Sequence, residues 1–159
     1  MSQGNKDLRS GRNYVWRLIK FRMRSEAEIR RRLADKKYDA PVIEELIAYF
    51  NNLGYINDRE FAASWMRARL SKPLGLRVVQ AELKKKGIDS RIIDELLSEK
   101  KNAVNEPAVV EELAGRQYNR LKEKKDSPDK IRRKLYGYLM RRGFSTDTVI
   151  EIINKLCAA

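Results

Sequence analysis

Apolar residues recur along the chain at three- and four-residue spacing, the period of a helix and not of a strand. In three segments, residues 29–47, 79–97 and 135–153, one layout is repeated. Each opens with an apolar pair four residues apart: Ile29 and Leu33, Val79 and Leu83, Leu135 and Leu139. Five residues after the second member comes a turn residue, Tyr38, Ile88 or Phe144, and next an N-cap acceptor, Asp39, Asp89 or Ser145. Gly87 and Gly143 precede the turn residue in the last two copies, where a left-handed helix ending suits glycine; Lys37 holds that place in the first. A second helix then follows with apolar residues at matched offsets: Val42, Ile43, Leu46 and Ile47; Ile92, Ile93, Leu96 and Leu97; Val149, Ile152 and Ile153.

A leading helix precedes each pair, expected near residues 14–22, 58–70 and 107–123, with Pro107 suited to a first helical turn. Breaks fall at 51–57, 71–75, 100–106 and 125–128, which are rich in polar, Gly or Pro residues. The expected fold is all-α: three tandem three-helix repeats forming an elongated, curved array, since so small a unit hardly buries its own apolar face without a neighbour. The expected division is a polar N-terminal tail over 1–13, then repeats over 14–57, 58–105 and 106–159.

Charge follows the same period. The net charge is +13, and the middle helices of the repeats, taken as residues 22–37, 75–87 and 129–143, carry +4, +3 and +5 of it. The helices that follow them are acidic. Cations near a helix C-terminus complement its dipole, which accounts for Lys36, Lys86 and Arg142. That explanation does not reach Arg30, Arg31, Arg32, Arg77, Lys130, Arg132 or Arg133, which lie mid-helix or earlier. The basic set, completed by Arg24, Lys84, Lys85 and Arg141, is therefore expected to form a stripe that faces a polyanion. A helix-turn-helix that reads the DNA major groove is disfavoured, because the second helix carries Glu44 and Glu45, or Asp94 and Glu95, toward phosphate.

Composition narrows the function. The chain has no histidine, which removes imidazole ligands, Ser-His and Cys-His nucleophiles and the usual general base. Its single cysteine, Cys157, pairs with nothing internally and cannot form a closely spaced metal-binding pair, so a reducing cytoplasm is expected. No apolar run reaches the roughly 20 residues of a membrane span, and residues 1–12 lack a signal-peptide core, so no membrane partner is expected. No cofactor, metal or catalytic residue is expected.

The run Gly54, Tyr55, Ile56, Asn57, Asp58, Arg59, Glu60, Phe61, Ala62 resembles the signature of the RecX family, a Gly-Tyr-Ile/Leu-Asn/Asp-Asp run leading into a helix with Phe-Ala. Gly75 through Glu82, Leu83, Lys86, Gly87 and Ile88 is similar to a second family pattern, and Arg24, Ser25 and Glu28 to a third, with Ile29 where the family has Leu. The resemblance covers about residues 14–156; the first turn lacks its glycine, and the third repeat matches weakly. It implies three three-helix repeats lying along a groove of the RecA–DNA filament, and inhibition of RecA strand exchange, ATP turnover and co-protease activity. Recombination, DNA repair and the SOS response would thereby be moderated. Weak, charge-driven binding to single- and double-stranded DNA fits the basic stripe.

Most of the motif reads as structural. Tyr55, Phe61, Ala62 and Trp65 have the spacing of a helix core, Ser25 with Glu28 reads as a capping box, and Asp58 as the cap of the helix it opens. Trp16, beside Leu18 and Ile19, is core more readily than a base-stacking ring. Two other functions compete. Asp58 and Glu60 with Glu82 and Lys84 loosely resemble a magnesium nuclease site, but Glu82 and Lys84 lie in an uninterrupted helical pattern. A general DNA-coating protein would need no more than the basic stripe.

Overall fold

A computed structural model describes residues 7–101 and 105–158. Among these, every regular element is a helix: α1 (Leu8–Phe21), α2 (Glu26–Asp35), α3 (Ala40–Asn52), α4 (Asp58–Leu70), α5 (Leu76–Lys85), α6 (Ser90–Lys101), α7 (Glu106–Glu123), α8 (Pro128–Arg141) and α9 (Thr146–Ala158). They run as three successive helix trios, the all-α tandem repeat expected.

The repeated apolar positions are the core. Ile29, Leu33, Val79, Leu83, Leu135 and Leu139 are each at most 1% exposed. The described residues divide into two compact units, 7–65 with 83–93, and 66–82 with 94–101 and 105–158, so α4, α5 and α6 each run from one into the other. In the first unit Val15, Ile29, Leu33, Leu46, Ile47 and Phe50 cluster. In the second, Val110, Ala114, Leu135, Leu139, Phe144 and Ile152 do.

Among the described residues five helices end in the left-handed region, at Lys37 (φ 62°), Gly54 (φ 74°), Gly87 (φ 75°), Lys125 (φ 54°) and Gly143 (φ 82°). The first turn closes as the second does: Tyr38 N–H donates to Leu33 O and Ile88 N–H to Leu83 O, both at 3.2 Å. Lys37 thus adopts glycine's conformation at the matched place.

Several expectations are corrected. The first helix starts at Leu8, not near residue 14, because the Asp7 carboxylate accepts the Ser10 N–H at 2.8 Å and caps it. Gly11, within the expected polar tail over 1–13, is buried in α1; a Cβ there would lie 2.5 Å from Leu46 Cδ1, so its lack of a side chain lets α3 pack close. Of the expected polar tail, residues 1–6 lie outside the described residues, as do residues 102–104 of the expected break at 100–106. Residues 22–24 are connector, not the start of α2, because Ser25 is the cap. Tyr55 is 49% exposed and is not core.

Candidate polyanion-binding surface

Glycine at two turns allows one helix start to sit on another trio's turn, and the same joint occurs in each unit. In the first, Ser25 caps α2 by accepting the Glu28 N–H, while Glu28 accepts the Ser25 N–H, forming the expected capping box. The Ser25 hydroxyl also donates to Lys86 O at 2.7 Å. A Cβ on Gly87 would lie 2.3 Å from Ala27 Cβ. In the second unit, Gly75 N–H donates to Arg142 O at 2.8 Å and Arg77 N–H to Gly143 O at 3.3 Å. There a Cβ on Gly75 would lie 2.0 Å from the Gly143 oxygen.

The joints decide which cations face outward. Lys86 Nζ meets the Glu28 carboxylate at 3.2 Å and sits 4.2 Å above the Trp65 ring. Burial is the largest influence on Glu28 and raises its pKa; the hydrogen bonds from Arg22 and Lys86, with the Ser25 N–H, outweigh it and bring the value down to about 2. Arg142, in the equivalent place, lies 4.7 Å over the Tyr138 ring and donates to Pro73 O at 3.3 Å. Arg24 is only 8% exposed and donates to Leu18 O at 3.2 Å. Arg30 is held bidentately by Glu44 and by Glu26 at 2.7 Å, and the Glu44 and then the Glu26 hydrogen bonds raise its pKa. Of these four expected members of the stripe, Arg24 is buried, while Arg30, Lys86 and Arg142 are part-exposed and each has a partner within the chain.

The other members are exposed: Arg31, Arg32 and Lys36 at α2, Arg77, Lys84 and Lys85 on α5, and Lys130, Arg132, Arg133 and Arg141 on α8. Some have a partner as well. Arg77 donates to the Thr146 hydroxyl, Arg132 to the Asn154 side chain at 2.9 Å, and Lys130 pairs with Asp126 at 2.8 Å. The structure adds cations that were not singled out. Arg120 of α7, Lys124 at the C-cap of α7 and Lys134 of α8 line a groove of about 580 Å³ together with Lys130, Arg133 and Arg141. Their signal was present in the sequence as the four-residue spacing of Arg120 and Lys124, but α7 is a leading helix, and the charge pattern had tied function to middle helices.

The motif around Gly54 is an assembly device. Ile56 is buried, and Asn57 rather than Asp58 caps α4, accepting the Glu60 N–H at 3.0 Å. Asp58 instead accepts the Glu26 N–H at 2.8 Å, so it caps α2 from 32 residues further along the chain. Burial raises its pKa, and that N–H offsets part of the rise. Phe61 and Ala62 are buried, with Trp65 stacked on Phe61 at 6.1 Å. Trp16 meets Phe50 and Tyr55 edge-on at 5.4 and 4.6 Å, a packing role. As for the nuclease reading, the Glu82 carboxylate is clasped by Arg69 at 2.8 and 2.6 Å, and Asp58 serves as a cap. Among the described residues no cluster of three or more metal-ligating side chains occurs, and no helix is long and apolar enough to cross a membrane.

Three models of known domains match the chain in order: the first three-helix domain of RecX over residues 12–50, the second over 57–97 and the third over 106–153. Regulatory protein RecX of Clostridium beijerinckii is 33% identical over 143 residues, covering 89% of this chain and 66% of that protein. Regulatory protein RecX of Mycobacterium sp. (strain KMS) is 32% identical over 143 residues, covering 88% of this chain and 78% of that protein. Among solved structures, RecX from Lactobacillus salivarius matches with a TM-score of 0.81 at 26% identity, covering 97% of this chain and 99% of that one.

Proposed function

The chain belongs to the RecX family of regulatory proteins, and from that premise we propose that it binds the RecA–DNA filament and inhibits RecA's recombinase, ATPase and co-protease activities. It thereby moderates recombination, DNA repair and the SOS response. It acts in the cytoplasm by occupying the filament and without chemistry of its own. The observation that carries this reading is the ordered match to all three RecX domains. The exposed cations of α2, α5 and α8 support it, because a groove containing both protein and DNA offers them phosphate. Charge alone also gives weak binding to free single- and double-stranded DNA.

A general DNA-coating protein would share those cations, and RecA separates the two. On preassembled filaments with excess competitor DNA, the regulator continues to slow ATP hydrolysis, whereas a coating protein is titrated away. Full relief by competitor DNA would overturn the RecA reading.

A further inference from the structure

The groove between α7 and α8 gathers more positive charge than any one helix shows. Arg120 on α7 and Lys124 at its C-cap stand four residues apart. On α8, Lys130, Arg133, Lys134 and Arg141 line the same groove, and no carboxylate is among its lining residues. Asp126 lies at one end, where it pairs with Lys130 at 2.8 Å and Lys134 at 2.6 Å, so the groove keeps a clear positive excess. Gly137, between Arg133 and Arg141 at four-residue spacing, leaves room on the wall; a Cβ there would come 3.0 Å from Arg141 Nη1.

Cations on two facing walls surround a single phosphodiester strand from both sides, while one exposed helix face touches a polyanion from one side only. From Lys130 to Arg141 the helix advances about 16 Å at 1.5 Å per residue, room for several successive phosphates. A positive groove that follows the backbone is how proteins hold single strands without reading sequence. We propose that the α7–α8 groove is a track for the sugar–phosphate backbone of single-stranded DNA, with Arg120, Lys124, Lys130, Arg133, Lys134 and Arg141 as its phosphate contacts. It rests on the regulatory reading for its choice of DNA as partner, and it assigns that contact to a place including α7.

The test measures binding of the full chain to fluorescein-labelled oligothymidine by anisotropy across a salt series, without RecA. The triple variant Arg120→Gln, Arg133→Gln, Arg141→Gln is compared with a control removing equal charge, Arg67→Gln, Arg116→Gln, Lys155→Gln. The groove variant is expected to lose at least about tenfold in affinity, its log–log salt slope becoming shallower by about 2, since each lost single-strand phosphate contact is worth roughly 0.7. The control should lose less than about threefold. Gly137→Leu tests the groove with charge unchanged and a better helix former: it fills the space and should weaken binding about fivefold while the melting temperature holds or rises. Equal losses in the two triples, or unaltered binding in Gly137→Leu, would overturn the groove. Equal weakening on duplex and single strand would overturn the single-strand assignment. RecA ATPase is measured separately: if inhibition by the wild type is absent while the groove contrast holds, the regulatory reading fails and the track stands. If inhibition is present and the contrast is absent, the reverse follows.

Discussion

Lys37 shows what a single side chain can hide. A residue with a Cβ costs about 1–2 kcal/mol in the left-handed region, and the matched turns have glycine there. Lys37→Gly should raise stability by a net ~0.5–1 kcal/mol in chemical denaturation, after the added flexibility of the unfolded chain is subtracted. A lower midpoint would mean that the lysine makes a stabilising contact. Glu28 gives a pH prediction. Its folded pKa of about 2 lies below the ordinary 4.5, so its stabilisation is present above about pH 4.5 and is lost as pH falls toward 2. Glu28→Gln can still reach back to the Ser25 N–H and so isolates the charge. The wild type should exceed the variant in stability at neutral pH, with the gap closing as pH falls toward 2. A constant gap would remove the charge explanation. Asp58 has the opposite sign: with a raised pKa, its ionised form is the costlier one.

Among the elements, the joints carry the most information. Gly87 and Gly143 read in the sequence as helix stops, which they are, yet each also lies within van der Waals reach of a residue in another trio: Ala27 or Val78. Gly87→Ala should therefore destabilise by about 1–3 kcal/mol, combining a crowded contact with backbone strain. Ala27→Gly in the same chain should recover the crowding part alone, and calorimetry on the four variants of the cycle measures it. Strict additivity would show that the turn, and not the joint, sets the cost. Lys86 and Arg142 belong to these joints, which their place near helix ends does not reveal. Their main partners, Glu28 and the Pro73 carbonyl, are 58 and 69 residues away in the chain.

For the whole molecule, the question is which cations act outward. Reversing Arg31, Arg32, Lys84, Lys85, Arg132 and Arg133 to Glu should weaken RecA ATPase inhibition and DNA binding while leaving circular dichroism at 222 nm unchanged. Reversing Arg24, Arg30, Lys86 and Arg142 should instead lower the unfolding midpoint, because Glu at 30 or 86 would face Glu26, Glu44 or Glu28 with like charge, and Glu at 24 or 142 would face a carbonyl oxygen it cannot donate to. If the first set unfolds the chain and the second does not, the division of charge into outward and internal sets is wrong.

The order of the helices and the repeated core positions followed from the sequence by itself, because the apolar pairs Ile29 with Leu33, Val79 with Leu83 and Leu135 with Leu139 are local signals at helical spacing. The capping box of Ser25 and Glu28 was legible for the same reason, both members lying within one turn. The start of α1 was missed, since Gly11 inside a helix becomes intelligible only against Leu46. The fate of each cation was decided by tertiary structure: Arg31 and Arg30 are neighbours in one helix, yet one is exposed and the other is clasped by Glu44. The same holds for Asp58, which caps a helix it does not belong to, and for Arg120 and Lys124, which join α8 across a groove. Spacing along one helix fixes which side chains share a face, but only the packing of a second helix determines what that face meets.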